Sequence, residues 1–193
     1  MQKIMNAAAS ISCHPTCIEG CKVITPAVFS DQRGYFLEAW SGNWRIPLGS
    51  DVTFVQDNQS RSLRNVLRGL HYQAGSAAQA KLVWVTTGRV FDVVVDLRQR
   101  SKSFGKWFGR YLHADSCERI WIPEGCAHGF LVVSEHADFQ YKVTKPYSPM
   151  HERSLNWKDP FLSIRWPLPP GQMPILSSKD AAAPDFQSCE KFG

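Results

Sequence analysis

Short apolar runs separated by polar turns dominate the middle of the chain. The runs are rich in Val, Ile, Phe, Trp and Tyr, and clusters of Gly, Pro, Ser or Asp lie between them. This composition is typical of β-strands. The runs follow one another closely without long helical patterns, which predicts an all-β sandwich or barrel. They are KLVWVTTG (81–88), RVFDVVVDLR (89–98), KWFGRYLHA (106–114), RIWIPEG (119–125), GFLVVSE (129–135) and DFQYKVT (138–144).

The segments on either side extend this pattern. Residues 22–29 and 35–40 predict two strands joined by a turn, and further strands are predicted from 53–56 and from Val66. Residues 41–50 predict a loop or a short helix. Near the C-terminus, Ser-Lys-Asp before three alanines predicts one helical turn with Asp180 near its start. We find no repeat and no linker, so we expect a variable leader at 1–20 and one domain at 21–193.

The overall composition narrows the class of protein. With 193 residues, 44% of them hydrophobic and 20% charged, the chain is long and apolar enough to form a core. The net charge of +5 could attract phosphates. There is no Lys/Arg-rich block, which disfavours nucleic-acid binding, and no apolar run long enough to cross a membrane. The N-terminus lacks a convincing signal peptide, so we expect a cytoplasmic protein.

Six cysteines are present, and three of them recur every fourth residue near the N-terminus: Cys13, Cys17 and Cys21, with His14 beside the first. A metal site is one interpretation, although the spacing matches none of the common zinc patterns. The alternative is a set of reduced thiols in a cytosolic protein, and we favour it.

The segment 54–81 concentrates the chemically capable side chains. It combines cations, amides and one titratable base with strand-like pieces, a mixture that fits poorly as pure core because buried charge is costly unless it is paired. The segment therefore predicts one wall of a pocket for a polar, anionic ligand. Its polar residues are Gln56, Asp57, Asn58, Arg68, His71 and Lys81.

His71 is the best candidate for a general base, because unperturbed histidine titrates near pH ~6.5. Lys81 could stabilise a developing oxyanion, or it could be an ordinary solvated lysine at the start of a strand. Tyr141 could donate a proton, or it could be a core aromatic with its hydroxyl at the rim. His128 could contact a ligand or pack in a loop. A carboxylate beside His71 would fix its tautomer, and Asp92 is a plausible partner on sequence grounds.

A metal centre is a separate possibility for a β-barrel with histidines. Cupin proteins bind divalent ions through an H-x-H pair, a glutamate and a distant histidine. Here the first pair reads His71-Tyr72-Gln73, no acidic residue lies between Gln73 and Gly88, and the cationic Lys81 occupies that interval. Three neutral or acidic ligands are the usual minimum for a catalytic metal. The sequence therefore predicts no metal.

Six collinear stretches together resemble the dTDP-4-dehydrorhamnose 3,5-epimerase family, from about residue 22 to about 186. They are DQRGYFLE, FVQDNQSRSLRNVLRGLHYQ, QAKLVWVTTGRVFDVVVDLR, WIPEGCAHGF, YKVTKPYSP and LSSKDAAAP. The resemblance implies a cupin-like jelly-roll fold, no cofactor, and a homodimer with exchanged N-terminal strands. It also implies epimerisation of dTDP-4-dehydro-6-deoxy-D-glucose at carbons 3 and 5 through an enolate.

The resemblance also implies roles for individual residues. His71 is the expected base, Asp180 its carboxylate partner, Tyr141 the acid and Lys81 the cation at the ketone oxygen. Tyr147 matches the aromatic that stacks on thymine. The remaining expected substrate contacts are Arg33, Glu38, Gln56, Asp57, Asn58, Arg68, His128, Glu152 and Lys179.

The chain departs from the family pattern in two places. Cys126 stands where the family usually has Phe, and residues 74–80 lack the common proline. Neither change removes an expected catalytic group. Three alternatives stay open: epimerisation of only carbon 3 or only carbon 5, a metal-dependent cupin enzyme, and a non-catalytic nucleotide-sugar binder.

Overall fold

The computed structural model describes residues 11–44, 48 and 52–193. Within these residues the chain forms thirteen β-strands, one short α-helix and four single 3-10 turns. The strands are β1 (Ser12–Pro15), β2 (Lys22–Thr25), β3 (Val28–Asp31), β4 (Gly34–Leu37), β5 (Gln56–Leu63), β6 (Leu67–Gln73), β7 (Lys81–Thr87), β8 (Arg89–Asp96), β9 (Trp107–His113), β10 (Arg119–Ile122), β11 (Cys126–Val132), β12 (His136–Val143) and β13 (Glu152–Ser154). The helix, α1, is Ser178–Ala181.

Two antiparallel sheets form a sandwich. One has six strands in the order β1-β2-β10-β7-β12-β5, and the other has five in the order β13-β6-β11-β8-β9. Neighbours in each sheet are mostly distant in sequence, as in β10 beside β2 and β11 beside β6, so the chain crosses repeatedly between the sheets. This arrangement confirms the predicted all-β, cupin-like jelly-roll fold. A hairpin of β3 and β4 forms a third, two-stranded sheet.

The five-stranded sheet is buried on both faces. On β8, Val90 and Val94 pack into the core between the two sheets. The alternate residues Val93 and Val95 belong to a second core, which the C-terminal segment covers with residues such as Phe186. Successive side chains of a strand point to opposite faces. The nearly continuous apolar run of β8 therefore reflects a strand with hydrophobic neighbours on both sides.

The structure corrects one predicted strand. The run 22–29 was expected to form a single strand, but β2 ends at Thr25 and β3 begins at Val28 in a different sheet. The strand expected to begin within 53–56 does begin there, because β5 starts at Gln56. Its neighbour β12 ends at Val143, which pairs with Gln56 and accepts a 2.9 Å hydrogen bond from the Val55 backbone N–H. Residues 41–50 contain a 3-10 turn at Gly42–Trp44, and positions 45–47 and 49–51 lie outside the described residues.

The predicted leader is described from residue 11 onward. Its strand β1 pairs with β2 at the edge of the six-stranded sheet. All six cysteines have free thiols; Cys17 is exposed and Cys21 is buried. No helix among the described residues is long and apolar enough to cross a membrane.

Candidate active site

A cavity of about 230 Å³ lies between the two sheets. The six-stranded sheet supplies side chains from β5, β7 and β12, and the five-stranded sheet supplies side chains from β6 and β11. The lining residues from the six-stranded sheet are Asn58, Gln59, Ser60, Lys81, Phe139 and Tyr141. Those facing them are Arg68, His71, His128 and Phe130, with Gly129 between the last two.

Two glycines bring β6 and β11 close together beside this cavity. A Cβ on Gly69 would lie 2.6 Å from the Cα of Gly129 and 2.8 Å from the carbonyl oxygen of His128. Gly69 also has φ +124°, which L side chains rarely adopt. The register between the strands shifts at this point, and His71 lies directly opposite His128. The sequence Arg-Gly-Leu-His therefore places a cation and a titratable ring at the cavity.

His71 is hydrogen-bonded to a carboxylate from the far end of the chain. Its Nε2 lies 2.5 Å from Oδ1 of Asp180. The second carboxylate oxygen of Asp180 accepts a 2.8 Å hydrogen bond from the Ser177 hydroxyl, which also caps α1 by accepting from the Asp180 backbone N–H. Because Nε2 is occupied, Nδ1 is the ring nitrogen of His71 that remains for a ligand.

The charged state of Asp180 is favoured where it lies. Burial raises the pKa of this carboxyl, but the hydrogen bond from His71 and the bond from Ser177 lower it, and the net shift is downward. The Asp180 side chain is 3% exposed and that of His71 is 28% exposed. A buried carboxylate thus supports a ring that reaches the cavity, an arrangement that stabilises the imidazolium formed when the ring takes up a proton.

Lys81 is the first residue of β7 and is buried at the cavity. Its ammonium lies 3.5 Å from the backbone carbonyl oxygen of His71. Burial lowers the pKa of Lys81 to about 8, while the nearby carboxylates of Asp92 and Glu152 act in the opposite direction. A buried ammonium next to an open cavity is available to a developing negative charge.

Tyr141 enters the cavity from β12, in the sheet opposite the one that carries His71. Burial raises the pKa of its phenol, with a smaller opposing effect of Arg68, so the hydroxyl keeps its proton at neutral pH. The Arg68 guanidinium is held by a 2.8 Å hydrogen bond from Nε to the Ser62 hydroxyl. The cavity therefore has a basic ring on one wall and a phenolic proton donor on the other.

His128 is paired with Asp92. Its Nε2 lies 2.8 Å from Oδ2 of Asp92, and both side chains are almost fully buried. The sequence allowed Asp92 as an alternative partner of His71; the structure instead places it against His128. The alternative fails because β11, which carries His128, lies between β6 and β8 in the sheet.

Most of the other expected contacts lie on β5, β13, α1 and the segment after β12, and of these only Asn58 lines the cavity itself. Gln56 donates to Asn58 and accepts from the backbone N–H of Tyr147, at 2.8 and 3.0 Å. The Tyr147 hydroxyl donates to Glu152 at 3.1 Å. Two further expected contacts are salt-bridged: Lys179 with Glu152, and Asp57 with Lys142, both at 2.7 Å.

Arg33 and Glu38 are not brought to the cavity within this chain. Arg33 lies in the turn of the β3–β4 hairpin and is paired with Asp31. Glu38 follows β4 and accepts a 3.0 Å hydrogen bond from the indole of Trp44. The hairpin pairs with no other strand in the described part of the chain.

Several supporting residues were not predicted from the sequence. Ser62 holds Arg68, which lines the cavity, and Ser177 holds Asp180, the partner of His71. Gln73 is buried and bridges two segments: it donates to the carbonyls of Ala77 and Pro146 and accepts from the backbone N–H of Ser148. Of these residues, only Ser177 could have been found from the local sequence. It stands three residues before Asp180 at a predicted helix start, a pattern typical of an N-terminal cap.

The donor set does not resemble a metal centre. Within residues 11–44, 48 and 52–193, no group of three or more His, Cys, Asp and Glu side chains could hold an ion. Gln73 occupies the second position of the cupin pair, but its amide is engaged by backbone groups.

The sequence matches one protein family over most of its length. The family model for dTDP-4-dehydrorhamnose 3,5-epimerase matches residues 15–188. The enzyme of that name from Salmonella typhimurium is 50% identical over 170 residues, which are 88% of this chain and 92% of the relative. The chain belongs to the dTDP-4-dehydrorhamnose 3,5-epimerase family. The match begins at residue 15, inside the leader expected at 1–20.

Solved structures of this family share the fold. The dTDP-6-deoxy-D-glucose-3,5-epimerase of Legionella pneumophila, in complex with dTDP-4-keto-L-rhamnose, superposes with a TM-score of 0.88 at 46% identity, covering 93% of this chain and 94% of the other. A 3′-monoepimerase of Streptomyces bikiniensis, in complex with dTDP-quinovose, gives 0.84 at 35% identity, with 91% and 88% covered. The chain is therefore an epimerase with a cupin-type fold, in a family whose members differ in the carbons they invert.

Proposed function

We propose that this chain epimerises dTDP-4-dehydro-6-deoxy-D-glucose at carbons 3 and 5, giving dTDP-4-dehydro-L-rhamnose, by proton transfer through an enolate and without a cofactor. One observation carries the proposal. His71, hydrogen-bonded to Asp180, and the protonated phenol of Tyr141 line one cavity from opposite sheets, and the Lys81 ammonium lies in the same cavity.

The first step is removal of a proton from the carbon next to the ketone. Nε2 of His71 is engaged with Asp180, so Nδ1 accepts the proton. The C–H electron pair becomes part of an enolate, and the ring becomes an imidazolium whose charge Asp180 compensates. This role matches the lowered pKa of the Asp180 carboxyl, to which the hydrogen bond with His71 contributes.

The enolate needs a positive charge at its oxygen. Lys81 is suited to this role because its ammonium is fixed and largely shielded from water, where an electrostatic interaction is stronger than in solvent. At neutral pH a lysine with a pKa of about 8 is mostly protonated.

Inversion requires a proton from the opposite face of the sugar ring. Tyr141 reaches the cavity from the six-stranded sheet and keeps its proton at neutral pH because burial raises its pKa. The phenol donates this proton to the carbanionic carbon and is reprotonated from solvent. The same three groups serve carbons 3 and 5 in turn, since both carbons flank the ketone.

The nucleotide part of the substrate is assigned to the surrounding residues. Arg68 supplies a guanidinium suited to bidentate contact with a diphosphate. Tyr147 is half exposed and held at its backbone by Gln56, as expected for a ring that stacks on thymine. The other residues assigned to substrate binding are Asp57, Asn58, His128, Glu152 and Lys179.

Arg33 and Glu38 are assigned to the cavity of a second protomer, in a homodimer that exchanges N-terminal strands. The hairpin that carries Arg33 leaves four large apolar side chains exposed: Val28, Phe29, Tyr35 and Phe36. Exposed apolar clusters of this kind are typical of protein interfaces. The strand β5, which lines the cavity, is an edge of the six-stranded sheet and could accept another strand.

Proton NMR in heavy water tests the proposal. The purified protein is incubated with dTDP-4-keto-6-deoxy-glucose, deuterium entry at carbons 3 and 5 is followed, and a rhamnose-forming reductase is added to a parallel sample. We expect exchange at both carbons and formation of dTDP-L-rhamnose. In Tyr141→Phe, we expect deuterium to enter with retained configuration, because His71 can still remove and return a proton on its own face.

The other outcomes separate the alternatives. Exchange at one carbon would keep the mechanism and assign the chain to single-carbon epimerisation. Tight binding of dTDP without exchange would indicate a non-catalytic binder. Normal inversion by both His71→Ala and Tyr141→Phe would exclude the assigned base and acid.

A further inference from the structure

A second histidine–carboxylate pair lies beside the first. His128 and His71 face each other across the β11–β6 ladder, and each ring uses Nε2 to contact an aspartate. Asp180 comes from the C-terminal helix, whereas Asp92 comes from the middle of β8, among the apolar residues between the sheets. The proposed reaction assigns a chemical role to the first pair and none to Asp92.

The carboxylate of Asp92 is energetically unfavourable at its position in this core. Its side chain is fully buried, and its Oδ2 contacts His128 at 2.8 Å. Its other oxygen, Oδ1, has no hydrogen-bond partner among the residues that the structure describes. A buried carboxylate with one unsatisfied oxygen destabilises a fold by itself. Its neighbours on the same face of β8 are Val90 and Val94, so an apolar side chain would suit the packing better.

The contact constrains the tautomer of His128. A carboxylate accepts hydrogen bonds and donates none, so the proton of the neutral ring must lie on Nε2. Nδ1 is then an acceptor, and it belongs to a ring that lines the cavity. An acceptor at this position suits a hydroxyl group of the sugar, which can donate to it.

We propose that Asp92 is a positioning residue of the epimerase. It fixes the Nε2–H tautomer of His128, so that Nδ1 accepts a hydrogen bond from a sugar hydroxyl. The identity of the ligand rests on the proposed function, whereas the tautomer of His128 does not depend on it.

Lys81 is influenced by charged groups from several elements. Burial lowers the pKa of the Lys81 amine to about 8. The carboxylates of Asp92 and Glu152 favour the ammonium form, Asp92 more strongly, and the charge of Lys179 opposes it. Removing the Asp92 charge therefore moves the pKa of Lys81 to lower pH. The other titratable and charged side chains that line the cavity with Lys81 are Arg68 and His71 from β6, His128 from β11 and Tyr141 from β12.

The test uses Asp92→Asn, which keeps the shape of the side chain and removes its charge. An asparagine can donate its amide N–H to Nε2, so the neutral ring can carry its proton on Nδ1 instead. We expect kcat/KM for deuterium exchange to fall roughly ten- to a hundredfold, the effect of one charge-assisted hydrogen bond. The alkaline limb of the kcat profile, where the Lys81 ammonium is lost, is expected to move to lower pH.

Asp138→Asn is the matched control. Asp138 is also a buried aspartate, but it pairs with Arg61 and does not line the cavity. We expect this variant to keep the wild-type pH profile. Circular dichroism and thermal unfolding of both variants establish that they are folded at the assay temperature.

The tautomer is measured directly by ¹⁵N NMR of histidine-labelled protein without substrate, and the His128 signals are identified by their loss in His128→Gln. We expect Nε2 to carry the proton in the wild type. A proton on Nδ1 would overturn the proposal even if Asp92→Asn did not fold. A folded Asp92→Asn variant with an unchanged His128 tautomer would also overturn it. An inactive wild type with the Nε2–H tautomer would instead contradict the proposed function.

Discussion

Asp180 and His71 are 109 residues apart in the chain, and their side chains meet at 2.5 Å. The contact joins the last helix to the second strand of the five-stranded sheet, so the C-terminal segment supports the His71 ring that lines the cavity. Ser177 adds a second hydrogen bond to the carboxylate, which fixes both of its oxygens.

Asp180→Asn is expected to lower kcat by roughly 10²- to 10⁴-fold, because an amide can stabilise the wrong tautomer of His71 and cannot compensate the imidazolium charge. The rate of deuterium exchange at carbons 3 and 5 measures the effect. Asp185→Asn is the control, since Asp185 lies in the same segment but is exposed and hydrogen-bonded to Asn156. Comparable rates for the two variants would show that Asp180 has no role in proton removal.

Lys81→Met is expected to lower kcat by about 10²- to 10³-fold, the usual effect of removing one group that stabilises an oxyanion. The same change is expected to stabilise the fold at about pH 7 by roughly 1–3 kcal/mol, because it replaces a buried charge with an apolar side chain of similar length. Urea denaturation measures the free energy of unfolding. A variant that loses activity and stability together would indicate that Lys81 is a structural residue.

The stability difference between Lys81→Met and wild type is expected to depend on pH. The pKa of Lys81 is about 8 in the folded protein, below the ordinary lysine value of 10.5. Between these values the unfolded chain binds a proton that the folded chain does not, so wild-type stability rises with pH. The advantage of Lys81→Met should therefore shrink as pH rises from about 8 toward about 10.5. A constant difference across this range would contradict the lowered pKa.

Gly69→Ala is expected to destabilise the protein more than Gly34→Ala. Both glycines have φ +124°, so the backbone strain is similar. A Cβ at Gly34 meets nothing within 4 Å, whereas a Cβ at Gly69 meets the backbone of Gly129 at 2.6 Å. We expect a loss of about 1–2 kcal/mol at Gly34 and several kcal/mol at Gly69 in urea denaturation. Equal losses would show that the approach of β6 and β11 is not tightly constrained.

The strands were predictable because local signals determine them. Residues 81–144 alternate β-branched and aromatic runs with turn residues, and each of the six strands from β7 to β12 overlaps one of the runs that this pattern predicted. Two of them begin earlier than predicted: β11 starts at Cys126 rather than at 129, and β12 starts at His136 rather than at 138. The exact start of β5 within 53–56 was not predictable in the same way. Residues 53–55 have strand-like composition, but the ladder begins where β12 ends, and that limit is set by a strand some 80 residues away.

The candidate site was only partly predictable, because several of its contacts join strands that are distant in the sequence. The segment 54–81 indicated a polar pocket because its charges could not be explained as core. The partner of each histidine could not be derived from spacing, because the order of strands decides it: β11 lies between β6 and β8, and so Asp92 reaches His128. The hydroxyl of Ser62 and the amide of Gln73 act through contacts that form only after folding.

The exchanged hairpin leads to a complementation experiment. In the proposed dimer, each cavity takes His71 from one protomer and Arg33 and Glu38 from the other. A homodimer of His71→Ala lacks both bases, and a homodimer of Arg33→Ala with Glu38→Ala lacks both sets of hairpin contacts. A mixed dimer has one cavity with both defects and one cavity with none.

We therefore expect co-expression of the two inactive or weakened forms to restore activity, up to about half of the wild-type rate per mixed dimer, because one of its two cavities is intact. Two different affinity tags isolate the mixed dimer, and deuterium exchange measures its activity. The control pairs His71→Ala with Tyr141→Phe. Both of these residues lie in the same cavity of one chain, so each mixed-dimer cavity keeps one defect and activity stays low. Equal activity in the two mixed dimers, or a monomeric mass in solution, would contradict the exchange.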